Sequence, residues 1–396
     1  MTNRERIMAV IRGEVPDRLP WVPRLDFWYR AHAYRGTLPQ YLRGLSWPEL
    51  ADRLGVGCYG IIPDFTDCPT GTEMLDRALG IYHVPVLPYK VTMENVERRV
   101  ISNGRERIVE YHTPMGSIRT AELFTEEMLN AGTSVGYVTR HAVHETRDLR
   151  VLGYIFSHLQ VEPRSGGYLA FRDMVGDRGI VVGYASPTVS PIHHIMKDFM
   201  PVDQFFYAMH DCPAEIERLA DQMTPYYRRI QDVAAECPAE VLLWGANYDD
   251  TITYPLFFAQ HILPALRDYA EVLHHKGKYL LTHTDGENRK LLKLYLEAGF
   301  DVADSVCPYP MTSCRLEEIR DAFADRITIW GGIPSILLCP NSTSFEDFRR
   351  FIDDLIDRYH GQSRLILGVS DMVTADADWS RMEYITERVA ETPWRG

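Results

Sequence analysis

Residues 278–306 read KYLLTHTDGENRKLLKLYLEAGFDVADSV, and this stretch decides the fold. It begins with a short apolar run, passes through a polar segment into a helical pattern, and ends in a second apolar run. Gly299 stands where the helix should end, at the position that most often takes a left-handed backbone. The pattern predicts two parallel strands joined by a crossover helix.

The same alternation recurs on both sides of this stretch. The predicted strands are residues 20–25, 59–63, 179–184, 241–245, 278–282, 301–305, 327–331 and 365–369. The helices predicted after the last five strands are residues 254–276, 287–298, 316–324, 345–359 and 379–391. Eight parallel strands with helices between them predict an α/β fold of the (β/α)8, or TIM-barrel, type.

Residues 86–123 interrupt this alternation. They contain segments in which apolar and polar residues alternate, separated by the hairpin-turn signal Asn103-Gly104. We predict an antiparallel β-meander inserted between the second and third barrel strands of a single domain that spans residues 1–396. A separate small domain at this point is the alternative.

Composition limits the partners of the protein. The net charge is −13, from 42 basic and 55 acidic residues, which argues against a nucleic-acid partner because phosphate contacts need clustered Lys and Arg. The seven cysteines are scattered and odd in number, which favours reduced thiols and a cytoplasmic location. The apolar runs are shorter than the roughly 18 residues of a membrane span, so no membrane partner is expected.

Polar residues collect just after the predicted strands, where TIM-barrel enzymes carry their chemistry. They are Arg24, Asp26, Asp64, His194, Asn247, Asp249, His283, Asp285, Tyr309 and Asp371. His283 and Asp285 are two positions apart at the end of a buried strand, so both side chains should project to the same face. The strand before Asp371 opens onto the same mouth.

His283, Asp285 and Asp371 therefore offer one nitrogen and two oxygen ligands, a set suited to Zn²⁺ or a harder divalent ion. Three protein ligands would leave one coordination position for substrate. The alternative is a polar network without metal, in which His283 is hydrogen-bonded to a carboxylate.

The remaining polar residues receive catalytic or substrate-binding roles. Asp249 belongs to a pair of adjacent carboxylates, and we assign a catalytic role to it, together with His283 and Asp285, and a helix-capping role to Asp250. Arg24 at the mouth would hold an anionic substrate group. The predicted substrate-binding residues are Arg24, Asp26, Asp64, His194, Asn247 and Tyr309.

The sequence resembles the uroporphyrinogen decarboxylase-like superfamily, which includes the corrinoid-dependent methyltransferases. The resemblance spans nearly the whole chain, and its motifs follow in the family's order. They are NRERIMAVIRGEVPDRLPWVPRLDFWY, SPIHHIMKDF, YDDTITYPLFFAQHILPALRDYAEVLHHKGKYLLTHTDG, LLKLYLEAGFDVADSVCPYP, ITIWGGI and RLILGVSDMVTADADWSRMEYI. The resemblance implies a (β/α)8 barrel.

Two departures from the family pattern bear on activity. True uroporphyrinogen decarboxylases carry a pattern like WxMRQAGR, whereas this chain reads WVPRLDFWYR and retains only Arg24. The methyltransferases bind zinc through a His-x-Cys pair and a later Cys, and the matching positions here are His283, Asp285 and Asp371. Two carboxylates in place of two thiolates make a harder site, which favours a methyl group bound to oxygen or nitrogen over thiol methylation.

The leading hypothesis is a zinc-dependent methyltransferase that moves a methyl group between a small O- or N-methylated substrate and a corrinoid on a partner protein. A second hypothesis is a metal-independent carboxy-lyase in which Arg24 binds a carboxylate and an Asp protonates the carbanion. A third is a non-catalytic binding barrel, although the ionisable groups at one end count against it. A homodimer is a further expectation.

Overall fold

The computed structural model describes residues 1–61, 75–133 and 135–392. The strands are β1 (Cys58–Gly60), β2 (Tyr89–Met93), β3 (Glu97–Asn103), β4 (Glu106–Thr113), β5 (Gly116–Leu123), β6 (Tyr137–Arg140), β7 (Leu159–Pro163), β8 (Gly179–Val181), β9 (Gly183–Ser186), β10 (Val241–Ala246), β11 (Tyr279–His283), β12 (Val302–Val306), β13 (Thr328–Ile333) and β14 (Leu365–Val369). The α-helices are α1 (Asn3–Arg12), α2 (Asp26–Arg35), α3 (Trp47–Leu54), α4 (Glu126–Asn130), α5 (Thr146–Ser157), α6 (Gly166–Val175), α7 (Pro191–His194), α8 (Val202–Asp211), α9 (Pro213–Glu236), α10 (Pro255–His261), α11 (Leu263–His275), α12 (Leu292–Ala298), α13 (Leu316–Phe323), α14 (Phe345–Tyr359) and α15 (Trp379–Glu391).

A parallel sheet organises the second half of the chain. Its strands lie in the order β9-β10-β11-β12-β13-β14, and every neighbouring pair is parallel. Helices connect successive strands, as a parallel sheet requires. The mixed α/β class and the five strands predicted from residue 241 onward are thus confirmed, with ends that differ by at most two residues.

Shorter pieces of parallel strand lie beside this sheet. β1 pairs in parallel with β8. Val182, between β8 and β9, donates its backbone N–H to the Gly60 carbonyl at 2.8 Å. Trp21 forms a parallel bridge with Leu367 of β14, and Gly57 donates to the Trp21 carbonyl at 2.9 Å. The strand predicted at residues 20–25 is therefore only a bridge, and α2 begins directly after it.

The parallel strands are buried on both faces. Val241, Leu243 and Leu281 belong to a core cluster that includes the apolar face of α1, whereas the alternate residues Leu242 and Leu280 belong to the core beneath the outer helices. Side chains of a strand point to opposite faces in turn, so each strand contributes to both cores. α1 lies at the amino ends of β13 and β14, because Thr328 donates to the Val10 carbonyl and Arg364 to the Ile11 carbonyl. The polar residues lie at the opposite end of the sheet, where the strands have their carboxyl ends.

The antiparallel region is larger than predicted. β3, β4, β5 and β6 form an antiparallel sheet that extends to Arg140, while β2 pairs with β7 instead of joining the meander. Asn103 pairs with Glu106, so the hairpin loop is Gly104-Arg105 and Gly104 takes the left-handed backbone, with φ of 62°. In sequence these strands lie between β1 and β8.

Two predicted helices differ from those observed. The helix expected over residues 254–276 is divided at Ile262 into α10 and α11, because Pro264 cannot donate a backbone hydrogen bond to the preceding turn. The helix expected from residue 287 begins only at Leu292, since residues 284–290 form a polar loop. Among the described residues, none of the helices combines the length and apolar character that crossing a bilayer requires.

Candidate functional site

His283 is the last residue of β11 and lies on the inner face of the sheet. It follows Leu281 by two positions, so it continues the row of side chains that packs against α1. Asp304 of β12 stands opposite it in register, and the two side chains meet through a hydrogen bond of 2.7 Å between His283 Nδ1 and Asp304 Oδ2. The Asp304 side chain is only 2% exposed. This buried carboxylate fixes the orientation of the imidazole ring.

The other ring nitrogen faces two more carboxylates. His283 Nε2 lies 3.7 Å from Asp285 Oδ1 and 3.4 Å from Asp371 Oδ1. Asp285 follows β11 and Asp371 follows β14, so residues from two separate strand ends meet here. We call His283, Asp285 and Asp371 the junction. The structure thus brings together the three residues that the sequence predicted to meet.

Arg24 lies against the Asp371 side of the junction. Its Nη1 donates to Asp371 Oδ1 at 3.0 Å, and its Nη2 lies 3.6 Å from Asp26 Oδ2. Asp26 in turn contacts Arg30 at 3.3 Å. Asp26 therefore contacts the junction through Arg24, and its role in substrate binding stays a prediction.

Asn247 and Lys197 lie against the Asp285 side. The Asn247 amide donates to both Asp285 oxygens, at 3.1 and 3.2 Å. Its side-chain oxygen accepts a hydrogen bond of 3.0 Å from Lys197 Nζ. Asn247 has a left-handed backbone, with φ of 62°, a conformation that Asn adopts more readily than most residues and that is enriched at functional sites.

The electrostatics of the junction favour a protonated histidine when only protein groups are present. Burial disfavours the charged ring, but the hydrogen bond and charge of Asp304, with the charges of Asp285 and Asp371, outweigh it and raise the pKa of His283 to about 9. Burial raises the pKa of Asp285, an effect that His283 opposes. Burial also acts against the charge of Arg24, yet Asp26 and Asp371 more than compensate and raise its pKa.

The donor set at the junction fits a divalent metal ion by its chemistry. Nδ1 of His283 is held by a carboxylate and Nε2 is turned towards the other two, which is the usual outer arrangement of a metal-binding histidine. Ligand atoms around tetrahedral zinc lie about 3.3–3.6 Å apart, close to the two Nε2–carboxylate distances. Among the residues that the structure describes, however, no three His, Cys, Asp or Glu side chains are already arranged to hold an ion.

Asp249 and Asp250 lie in the loop after β10 and form contacts other than those of the junction. Asp249 accepts hydrogen bonds from the backbone N–H groups of Thr251 and Glu287, at 2.8 and 3.3 Å, and so joins two loops. Asp250 is 4% exposed and pairs with Lys290 at 3.2 Å. The predicted cap at Asp250 is wrong, because Tyr254 is the residue that precedes α10.

Two more predicted substrate-binding residues, His194 and Tyr309, lie apart from the junction contacts in the described part of the chain. His194 is buried, and its ring nitrogens contact the Leu79 carbonyl at 3.0 Å and the Tyr227 hydroxyl at 2.9 Å. Tyr309 is 56% exposed and lines a cavity of about 300 Å³ between α13 and α14. Asp64 lies outside the described residues.

Sequence reasoning missed Asp304 and Lys197. Asp304 lies inside a strand and not after one. The signal that could have found it is a carboxylate within a buried strand, next to the apolar residues Val302 and Ala303. Lys197 lies ten residues beyond Pro187, on a π-helical turn, Ile195–Phe199, for which the sequence carries no signal that we can name.

Comparisons with known proteins agree with this architecture. One matching solved structure is a methyltransferase from Methanosarcina mazei, with 14% sequence identity, a TM-score of 0.53 and coverage of 99% of both chains. At that identity the likeness concerns the fold. The search of curated proteins gave no match.

A family match covers the whole junction. The family described as Uroporphyrinogen decarboxylase (URO-D) matches residues 181–392. This range is more than half of the 396-residue chain and contains Lys197, Asn247 and the whole junction, although not Arg24. The chain therefore belongs to the uroporphyrinogen decarboxylase (URO-D) family.

Proposed function

We propose that this protein is a methyltransferase that moves a methyl group between a small O- or N-methylated substrate and a corrinoid carried by a partner protein. The observation that carries the proposal is the junction, where one imidazole nitrogen and two carboxylates approach each other at 3.4 and 3.7 Å. Family membership and the fold-level likeness to the Methanosarcina mazei methyltransferase support it.

In this proposal the parallel strands close into a TIM barrel, and the junction lies at its mouth. The bridge from Trp21 to Leu367 and the hydrogen bond from Gly57 to Trp21 support closure, because they link β14 to the segment that leads into β1. The ring contact between Tyr59 of β1 and Trp330 of β13, with centroids 4.1 Å apart, also supports it. A barrel mouth would enclose a small substrate on several sides.

His283, Asp285 and Asp371 are the residues that would hold Zn²⁺, which when bound would supply Lewis-acid polarisation of the substrate heteroatom. Asp304 keeps the His283 ring in place through Nδ1 and so presents Nε2 to the substrate side. Asn247 and Arg24 orient the two junction carboxylates. The two carboxylates, in place of two thiolates, favour methyl groups bound to oxygen or nitrogen.

The test measures zinc in protein purified without chelator. We expect stoichiometric zinc in the natural protein, and at least a tenfold loss of affinity in Asp285→Ala and in Asp371→Ala. Asp376→Ala is the matched control, since this carboxylate lies in the same loop as Asp371 but is 85% exposed. Methyl transfer is then followed by the absorbance change of cob(I)alamin on methylation. Metal-free natural protein with undiminished methyl transfer would refute the zinc role.

A metal-independent carboxy-lyase is the second candidate, and one observation favours it. With protein groups alone, the junction forms a network with Asp304 and the partly buried Arg24, in which a cationic His283 contacts three carboxylates. Such a network could bind a substrate carboxylate at Arg24 and donate a proton to a carbanion. Release of carbon dioxide from a carboxylated substrate by chelator-treated protein, without corrinoid, would favour this candidate over methyl transfer.

A further inference from the structure

Lys197 lies beside the junction on an unusual turn of helix. It belongs to the π-helical segment Ile195–Phe199, which continues from α7. Its Nζ donates to the Pro187 carbonyl at 3.3 Å and to Asn247 Oδ1 at 3.0 Å. Pro187 directly follows β9 and Asn247 directly follows β10, so the ammonium lies at the carboxyl ends of the strands. π-Helical turns within α-helices are frequently found at functional sites.

Lys197 has no direct counter-ion among the residues that the structure describes. Both of its hydrogen-bond acceptors are neutral oxygens, and within the described part of the chain no carboxylate forms an ion pair with it. Lys290 differs, because its ammonium pairs with Asp250 at 3.2 Å. An ammonium has three N–H donors, so the two bonds of Lys197 leave one for a ligand. Burial lowers the pKa of Lys197, although the charges of Asp198 and Asp285 oppose this effect.

A chain of contacts connects Lys197 to the opposite side of the site. It runs from Lys197 through Asn247 to Asp285, across His283 to Asp371, and ends at Arg24. Arg24 is occupied by Asp371 and Asp26, so its charge is balanced within the protein. Lys197 is therefore the cation with the greater need of an anionic ligand.

We propose that Lys197 binds a carboxylate of the substrate, and that the protein acts on small methylated acids in preference to their neutral analogues. A compact ammonium with one remaining donor suits a monoanionic carboxylate, whereas phosphate sites usually collect several cations or backbone N–H groups. Because Asn247 contacts both Lys197 and Asp285, a carboxylate held at Lys197 would lie next to the junction. The assignment of this substrate class rests on the proposed function.

The experiment compares isosteric charged and neutral probes by calorimetric titration of the full-length protein without turnover. The probe pairs are methoxyacetate with methoxyacetamide, and 4-methoxybenzoate with 4-methoxybenzamide. We expect at least one acid to bind tenfold or more tightly than its amide. That preference should vanish in Lys197→Met and persist in Lys197→Arg, which keeps the positive charge.

Lys90→Met is the matched control and should keep the preference, because Lys90 is an exposed lysine paired with Glu162 on the antiparallel β2–β7 pair. If Lys197→Met does not fold, NMR spectra of the natural protein with 13C-methylated lysines are the alternative measurement. The chemical shift of the Lys197 methyl signal should change when the acid is added and stay constant when the amide is added. A preference that survives in Lys197→Met, a Lys197 signal that ignores the acids, or the absence of any acid preference in the natural protein overturns the proposal. Because binding is read without zinc or methyl transfer, the proposed function can fail while this assignment stands, and the reverse also holds.

Discussion

Two buried aspartates in this molecule each hold a histidine, yet their surroundings differ. Asp76 is fully buried and accepts hydrogen bonds from His83 at 2.6 Å, from Tyr111 at 3.0 Å and from Arg98. Asp304 is 2% exposed and holds His283 at 2.7 Å. The first carboxylate is surrounded by donors that satisfy it. The second holds a histidine whose other nitrogen faces two further carboxylates.

The difference separates a cluster whose groups satisfy one another from the cluster that we propose as the functional site. At Asp76 one negative charge meets Arg98 and two further donors, so the cluster ties the segment before β2 to β3 and β4 without leaving a group for a ligand. At Asp304 the local excess of carboxylates raises the pKa of His283 to about 9. Groups with strongly perturbed pKa values cluster at functional sites, which is why the His283 cluster is the candidate site.

The largest effect on stability is expected at Asp76. Asp76→Ala leaves Arg98 and the buried Tyr111 hydroxyl without their acceptor, and loss of one partner of a buried ion pair costs about 3–5 kcal/mol. Because Arg98 is 33% exposed and can regain contacts with water, we expect the low end of this range. Urea unfolding should show a free energy of unfolding that is about 3 kcal/mol lower in Asp76→Ala. Asp173→Ala, which removes an exposed pair with Arg172, should cost less than about 0.5 kcal/mol. Equal losses of unfolding free energy in Asp76→Ala and Asp173→Ala would contradict the contrast between the buried cluster and an exposed ion pair.

The stability of metal-stripped protein should depend on the protonation of His283. Its pKa is raised from 6.5 to about 9 on folding, a change worth about 3 kcal/mol. Since the folded state binds this proton more tightly, the stabilisation is complete below pH 6.5 and is lost as the pH rises through about 9. Unfolding by urea at several pH values should show this decline, and His283→Gln should flatten it. Zinc, if it occupies Nε2, should abolish the titration of His283 in NMR spectra.

Asp304→Asn should impair the site more than the fold. The amide preserves the shape of the side chain but removes the charge that orients His283, and loss of such an outer partner typically lowers metal affinity or activity 10–100-fold, or about 1.4–2.8 kcal/mol. Metal affinity and initial rates measure the effect. Full activity in this variant would show that the Asp304–His283 pair is merely structural, as at Asp76.

His83→Gln should have the smallest effect of the four. His83 is 22% exposed and supplies one of several hydrogen bonds to Asp76, so its removal should cost about 1 kcal/mol. Activity per folded molecule should stay unchanged. A thermal melt alongside a rate assay measures both quantities, and a large loss of rate without a loss of stability would assign the antiparallel region a direct part in the reaction.

Local sequence pattern was sufficient for the regular part of the fold. The strands from β10 to β14 are long apolar runs followed by amphipathic helices, and α14 and α15 begin and end at the predicted residues. The first half was harder, because residues 20–25 contribute only a bridge and residues 89–93 pair with β7, about seventy positions later. Pairing over such separations depends on tertiary contacts that no short window of sequence contains.

The junction was predictable because strand parity places His283 and Asp285 on one face and the barrel topology predicted for the chain brings Asp371 near. The contacts of Asp249 could not be predicted, because they are made with backbone N–H groups of two loops whose course the sequence does not specify. Lys197 was not predictable either, because a π-helical turn changes which residues of a helix share a face.

The contact between Arg24 and Asp371 joins residues that are 347 positions apart in the chain. During synthesis the polypeptide must emerge beyond residue 371 before this pair can form, so a nascent chain acquires most of its parallel sheet while the junction still lacks one carboxylate. A product released before that point would hold hydrophobic strands without a competent site. Completion of the junction thus requires that every strand of the six-stranded sheet has already been translated.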